Sequence, residues 1–136
     1  MNREGREVTR SIEELSHVVI GAALKVHSAL GPGLLESAYE HCLFYELHKQ
    51  GIQAQAQVSL PIIYDGHQIE AGYRIDILAE GELIIELKAT DKLLPIHMAQ
   101  LLSYLKMADK SLGLLINFNV TSLKNGIRRV VNNHHE

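Results

Sequence analysis

Two strand-like segments carry charged residues among leucines and isoleucines. The segment ELIIELKAT, residues 82–90, holds Glu86 and Lys88, and the segment YRIDILA just upstream holds Asp76. Because side chains alternate faces along a strand, Glu86 and Lys88 lie on the same face, two residues apart. A tight turn at Glu80-Gly81 would place Asp76 roughly opposite Glu86. The sequence therefore predicts two acids and a lysine on one face of a sheet.

Two carboxylates that face each other across strands repel unless a positive charge lies between them. A divalent cation supplies that charge, and Mg²⁺ prefers hard oxygen ligands such as carboxylates and substrate phosphate. Asp76 and Glu86 suit this requirement, and the backbone carbonyl of Leu87 could add a third oxygen. Lys88 would then orient or activate the attacking water and stabilise charge on the phosphate. The alternative is an ordinary cross-strand group on a solvated face.

A further pair of polar residues follows Pro95. Gln100 and Tyr104 are four residues apart in a segment with helical spacing of its leucines, so they share one helix face. Gln100 could donate a hydrogen bond to a phosphate or to a water of the metal, with Tyr104 beside it. Packing at a helix boundary is the alternative reading of the pair.

Two helices are predicted ahead of the strands. Ser11 and Glu14 form a capping-box pattern at the start of an amphipathic segment that ends at Gly31 and Pro32. The second helix lies in GLLESAYEHCLFYELHKQG and closes at Gly51. Apolar residues surround Glu36 in this segment, so its charge would be poorly solvated unless something paired with it.

The period then changes to that of strands. Turn signals at Asp65-Gly66 and Glu80-Gly81 predict a meander of three antiparallel strands. A helix to about Asp109, the apolar strand LGLLINFNV and a short last strand GIRRVV follow. The predicted order is α-α-β-β-β-α-β-(β), an α/β sandwich in which helices flank a mixed central sheet.

Length and charge limit the classes of function. The chain has 136 residues, 46% of them hydrophobic, which predicts one globular domain over residues 1–136. A formal net charge of −3 argues against an extended basic surface for nucleic acid, so phosphate contacts would be local. Lys124, Arg128 and Arg129 form the most basic stretch, with a solvated surface as the alternative.

Targeting signals and metal motifs are few. Apolar runs fall short of the ~18 residues of a membrane span, and MNREGREVTR is charged where a secretory signal is apolar. We therefore expect a cytoplasmic protein with no membrane partner. The single cysteine, Cys42, excludes an internal disulfide and a cysteine metal cluster. The eight histidines lack HxxxH and HExxH spacing, so no zinc site is expected.

The segment GLLESAY has the form GxxExxY in Gly33, Glu36 and Tyr39. It resembles the signature of the small bacterial and archaeal GxxExxY proteins, which are placed in the PD-(D/E)XK nuclease superfamily. The resemblance continues in order through GPGLLESAYE, GYRIDIL, IIELKA, AQLLSYL, GLLINFN and LKNGIRR, and so covers residues 12–131. The superfamily core of a helix, three strands, a helix and a strand agrees with the order predicted from periodicity.

The resemblance implies a set of site residues. An acid on the first core helix, an aspartate on the second strand and the acid and lysine of the third strand line one metal site in related nucleases. By position these are Glu36, Asp76, Glu86 and Lys88. A QxxxY pair on the following helix corresponds to Gln100 and Tyr104. One departure is visible, because Arg74 and Ile75 precede the aspartate where the superfamily often has a proline.

Together these observations favour a Mg²⁺- or Mn²⁺-dependent phosphodiesterase that acts on nucleic acid, with DNA as the expected substrate. Asp76, Glu86 and Glu36 would hold the ion or its waters, while Lys88 and Gln100 act on water and phosphate. The residues expected to bind the rest of the nucleic acid are Lys92, Tyr104, Lys124, Arg128 and Arg129. The alternative is an accessory module that keeps the nuclease fold without catalysis. A homodimer or a partner protein is compatible with either.

Overall fold

The computed structural model describes residues 10–133. The charged stretch at residues 1–9 and the histidines at 134 and 135, on which some of the expectations above fall, lie outside this range. The helices are α1 (Ile12–Leu30), α2 (Glu36–Lys49) and α3 (Pro95–Ala108). The strands are β1 (Ala54–Ser59), β2 (Ile62–Tyr64), β3 (His67–Ile69), β4 (Arg74–Ala79), β5 (Leu83–Lys88), β6 (Leu112–Asn117) and β7 (Ile127–Val131).

Five of the strands form one mixed sheet in the order β1-β4-β5-β6-β7. The pairs are antiparallel except for β5 and β6, which run parallel. A parallel neighbour requires a crossover connection, and α3 supplies it between these two strands. The predicted α/β sandwich with a mixed central sheet is therefore confirmed, including the fully buried sixth strand and the short last one.

The helices cover the two faces of the sheet and create two apolar cores. Leu83, Ile85 and Leu87 of β5 belong to the core that includes residues of α1 and α2. Ile84 of β5 belongs to the other core, together with Leu101 of α3. The alternation predicted along β5 is confirmed, and it places Glu86 on the same face as Ile84.

One detail of the predicted meander is wrong. β1, β4 and β5 are adjacent antiparallel strands, but the turn at Asp65-Gly66 joins β2 and β3, which form a separate two-stranded sheet. Pro61 has no N–H to continue the ladder beyond β1. The chain returns to the main sheet after Gly72, whose φ of 83° suits glycine. A hydrogen bond from Leu60 N–H to the Tyr73 carbonyl closes this excursion at 2.9 Å.

The helix ends agree with the sequence signals. Ser11 Oγ accepts a hydrogen bond from Glu14 N–H at 3.1 Å, and Glu14 Oε1 accepts one from Ser11 N–H at 2.9 Å. This reciprocal capping box fixes the start of α1. Between residues 10 and 133, none of the helices is both long enough and apolar enough to cross a membrane.

Candidate active site

Asp76 and Glu86 lie where β4 and β5 diverge. The two strands pair from Ala79↔Leu83 to Ile77↔Ile85, so the next residues in register are the two acids. At this point, hydrogen bonds from backbone N–H groups to side-chain carboxylates replace the backbone hydrogen bonds between the strands. Asp76 N–H donates to Glu86 Oε2 at 2.8 Å, and Leu87 N–H donates to Asp76 Oδ2 at 2.9 Å. The carboxylates therefore lie side by side, as the strand count predicted.

These two acids are held in a poor environment for negative charge. Glu86 is only 6% exposed, and burial together with the charge of Asp76 raises its pKa to about 8. Burial also raises the pKa of Asp76, although the hydrogen bond from Leu87 N–H and the charge of Lys88 oppose the shift. The backbone N–H groups and one lysine thus compensate the acid pair incompletely.

Glu36 is the first residue of α2, and its position corrects one expectation. The residue is exposed at the helix start rather than enclosed in an apolar face. Its carboxyl group nevertheless lies close enough to the acid pair to interact with it. Partial desolvation and the charge of Asp76 raise the pKa of Glu36, while Lys88 opposes the shift. Glu36 therefore borders the same site as Lys88.

Tyr39 explains how the start of α2 is held. Its ring is fully buried and stacks on Phe118 at 4.6 Å between ring centroids. Its hydroxyl donates to the Gly31 carbonyl at 2.6 Å and accepts from Leu34 N–H at 3.1 Å. The tyrosine thus ties the loop between the two helices to the core, and so fixes where Glu36 projects.

Gln100 and Tyr104 share the face of α3 that the sequence predicted. Tyr104 is buried, and its ring meets the ring of Tyr73 edge to face at 6.0 Å. Burial and then the charges of Glu86 and Asp76 raise the pKa of the Tyr104 phenol. Gln100 is half-buried and lines a pocket together with Tyr104. Tyr104 thus lies near the acids, on the helix that covers their face of the sheet, and Gln100 lies one turn away from it.

Lys88 is half-buried at the end of β5 and its charge acts on Glu36, Asp76 and Glu86. Its backbone is held by the neighbouring strand, since Phe118 N–H donates to the Lys88 carbonyl at 2.9 Å. Asn117 then fixes the following loop. Its side chain accepts from Thr90 N–H at 3.0 Å and donates to the Thr90 carbonyl at 2.9 Å.

The comparisons with known proteins agree with this geometry. The family model of the PD-(D/E)XK nuclease superfamily matches residues 13–130, which is most of the chain. The chain belongs to the PD-(D/E)XK nuclease superfamily. Searches of curated proteins and of solved structures each found no match. The order of helices and strands and the five-stranded mixed sheet are consistent with a PD-(D/E)XK nuclease-like fold.

Two residues beside Asp76 were not found in the sequence. Gln57 Nε2 donates to Glu40 Oε2 at 2.8 Å and lies 3.5 Å from Asp76 Oδ1. Desolvation raises the pKa of Glu40, and the Gln57 hydrogen bond opposes the shift. The spacing of Glu36 and Glu40, one helical turn apart, was a signal that could have found Glu40. Gln57 has a φ of 53° inside β1, for which the sequence holds no signal.

The predicted nucleic-acid contacts divide into two groups. Lys92 and Lys124 are exposed. Arg128 and Arg129 lie on β7, which β6 separates from β5. The Arg128 guanidinium donates to the carbonyls of Asn125 and Ile127 at 3.0 Å each. Arg129 forms an ion pair with Glu13 of α1, and the structure does not bring it to the acid pair.

The residues present fit a divalent cation through two carboxylates. Within residues 10–133, no three His, Cys, Asp or Glu side chains are grouped closely enough to hold one ion. Asp76 and Glu86 nevertheless offer oxygen donors on adjacent strands, and burial raises the pKa of both carboxyl groups. One or two carboxylates, with waters and substrate phosphate, are the usual ligands of Mg²⁺.

Proposed function

We propose that this PD-(D/E)XK protein is a Mg²⁺- or Mn²⁺-dependent nuclease of the GxxExxY type that hydrolyses phosphodiester bonds, with DNA as its substrate. The observation that carries the proposal is the buried pair of Asp76 and Glu86 with Lys88 beside it. Burial raises the pKa of Glu86 to about 8, and burying an ionisable group in this way costs free energy of folding. Active sites are where such uncompensated acids are retained.

Asp76 and Glu86 are the proposed ligands, with Glu36 positioned to hold waters of the ion and the Leu87 carbonyl as a further oxygen. The chemistry that a bound Mg²⁺ or Mn²⁺ supplies is charge neutralisation and polarisation of the scissile phosphate. Lys88 orients the attacking water and stabilises negative charge on the phosphate. Gln100 donates a hydrogen bond to a phosphate oxygen. The water oxygen bonds to phosphorus and gives up a proton, the bridging P–O bond breaks, and the leaving oxygen takes up a proton, so that no net proton is gained or lost.

The domain that performs this reaction is proposed to be the single unit of residues 1–136, with its core at about residues 12–131. Lys92 and Lys124 are the exposed cations proposed to hold neighbouring phosphates. Arg128 and Arg129 stay predicted contacts, although Glu13 already neutralises Arg129. Cytoplasmic location and pairing with a second copy or a partner protein also stay predictions.

The competing proposal is a non-catalytic accessory module. It is favoured by one observation, namely that no three acids within residues 10–133 are grouped as ligands of one ion. An accessory module that kept only the fold would have no need to retain two buried acids and a lysine together, so we favour the enzyme.

The test is a cleavage assay on single- and double-stranded DNA with Mn²⁺, with Asp76→Asn as the test variant and Asp65→Asn as its matched control. Asp65 is exposed in the hairpin turn with a φ of 52°, a conformation that asparagine tolerates. We expect the wild type and Asp65→Asn to cleave and Asp76→Asn to lose activity. Wild-type metal binding without cleavage of either substrate would support the accessory module instead.

A further inference from the structure

A pocket of about 360 Å³ opens between α3 and the segment that connects β3 to β4. Its walls are of three kinds. Tyr73 and Tyr104 contribute aromatic rings, Gln100 and Ser103 contribute polar groups, and Ile62 and Ile96 contribute apolar side chains. Because the pocket borders Tyr104, whose phenol is affected by the charges of Glu86 and Asp76, it lies next to the proposed catalytic site.

The aromatic wall is open to solvent. Tyr73 is 41% exposed, while its edge-to-face contact with the buried Tyr104, at an angle of 68° between the rings, holds its orientation. A held ring with a free face is a stacking platform for a flat ligand. Every nucleobase has such a π-face, which is why aromatic residues bind unpaired bases with little regard to sequence.

The polar wall supplies hydrogen-bonding groups at one place. Gln100, Ser103 and Tyr104 are three and four residues apart on α3, so their side chains share one helix face. Besides the N–H proposed to bind phosphate, the amide of Gln100 has a second N–H donor and an acceptor oxygen, and the hydroxyl of Ser103 both donates and accepts. Unpaired bases are recognised by this combination of an aromatic platform and hydrogen bonds to their edges.

The β2–β3 hairpin extends the same surface. Its side chains are largely exposed, with Tyr64 at 72%, and Ile62 at its start lines the pocket. None of the residues of β2 or β3 belongs to the buried set of either apolar core in residues 10–133. The hairpin therefore carries apolar and aromatic groups outward beside the pocket, where neighbouring bases of a strand would lie.

We propose that this pocket binds an unpaired nucleobase next to the scissile phosphate, so that the substrate is single-stranded or locally unpaired nucleic acid. The inference rests on the proposed nuclease function for the position of the phosphate. It also accounts for the low positive charge of the chain, which has a net charge of −3. Binding through base stacking needs fewer phosphate contacts than binding of a duplex backbone.

A second copy of the chain is the other occupant that an apolar surface of this kind could take. The pocket argues against it, because an apolar side chain inserted there would bury Gln100 and Ser103 without hydrogen-bond partners, which is unfavourable. A nucleobase edge satisfies the same groups.

The test measures binding of an oligonucleotide that contains 2-aminopurine, single-stranded or annealed to its complement, by anisotropy and by base fluorescence. Binding is measured in EDTA and, with a Lys88→Ala background to slow cleavage, in Mg²⁺. Tyr73→Ala removes the platform, and Ser103→Leu fills the pocket from an exposed helix position. Tyr73→Phe keeps the ring, and Tyr45→Ala removes an exposed tyrosine from α2 as the matched control.

We expect single-stranded binding to weaken about 10-fold in Tyr73→Ala and Ser103→Leu, with loss of the fluorescence change, and to stay within about 2-fold in the two controls. Equal affinity for single strand and duplex, or full binding by Tyr73→Ala, would overturn the proposal that the pocket binds an unpaired nucleobase. So would a concentration-dependent dimer that Tyr73→Ala dissociates without any effect on nucleic acid. If the wild type bound single strands but cleaved no substrate, the proposed nuclease activity would be refuted and the proposed nucleobase pocket would be supported.

Discussion

Glu46 and Glu86 are almost equally inaccessible, at 5% and 6% exposure, yet their surroundings differ. Glu46 accepts a hydrogen bond from Gln50 at 2.8 Å and forms ion pairs with Lys25 at 3.1 Å and Lys49 at 3.4 Å. The Gln50 hydrogen bond and the contact with Lys25 lower its pKa. Burial and then the charge of Asp76 raise the pKa of Glu86 to about 8.

Under the proposed function, the difference is that between a structural acid and a catalytic one. Around Glu46 the protein itself provides the compensating cations, so the charge needs nothing from outside. Around Glu86 the charge of Asp76 adds to the effect of burial, and the Asp76 backbone N–H and Lys88 compensate only in part. A fold that keeps such a group forgoes stability there, as proteins do at functional sites. On this account the missing charge is that of a divalent cation.

The largest expected effect contrasts the lysines of the two sites. We expect Lys88→Ala to lower the cleavage rate by about 10²–10³-fold, because it removes a charge aimed at the reacting phosphate. Lys25→Ala should leave the rate per folded molecule within about 2-fold, since Lys25 pairs with Glu46 rather than with the acids of the proposed site. The measurement is kcat on labelled DNA with Mn²⁺. Equal losses in the two variants would remove the functional distinction between the sites.

The next effect is the stability of the metal-free protein. Glu86 ionises near 4.5 when unfolded and near 8 when folded, so the folded state holds a proton that the unfolded state has lost between these values. Stability is therefore lost as pH rises through this range. Glu86→Gln should be more stable than wild type by on the order of 2 kcal/mol at pH 9 and about equal at pH 4. Urea unfolding in EDTA measures this.

If the wild type and Glu86→Gln unfolded at the same urea concentration across this whole pH range, the raised pKa of Glu86 in the folded protein would be contradicted. Added Mg²⁺ should narrow the gap at pH 9, because a cation that binds the native state alone stabilises it.

The smallest expected effect is that of Glu46→Gln, which should lower stability where Glu86→Gln raises it. Because its folded pKa is lowered, Glu46 contributes stability that is present above its usual value of 4.5 and lost as pH falls through the folded value. Glu46→Gln should therefore lower Tm at pH 7 and have no effect in strong acid. Thermal unfolding followed by circular dichroism checks this. If Glu46→Gln behaved as Glu86→Gln does, the two acids would not differ as described.

Much of the proposed site follows from local patterns in the sequence. Alternation along β5 and a turn at Glu80-Gly81, where both residues have positive φ and Glu82 N–H bonds to the Ala79 carbonyl at 2.9 Å, suffice to bring Asp76 opposite Glu86. The helices were predictable for the same reason, since capping and apolar periodicity are local.

Contacts between distant segments were not predictable. Gln57 contacts Glu40 and Asp76 from a backbone conformation with positive φ, which the residue types around it do not predict. Arg129 meets Glu13 across 116 residues of sequence, an ion pair that the sequence did not indicate. A single sequence holds no information on which distant side chains meet, and the same holds for the pocket beside Tyr73.

The central claim is that Asp76 and Glu86 form a cation site and Glu46 does not. Calorimetric titration with Mn²⁺ tests it most directly, on wild type, Asp76→Asn and Glu46→Gln. We predict one site in the wild type, with protons released on binding because Glu86 must ionise. Affinity should fall at least about 10-fold in Asp76→Asn and be unchanged in Glu46→Gln. A wild type that binds no Mn²⁺ at millimolar concentration, or an Asp76→Asn variant that binds as tightly, would contradict the account.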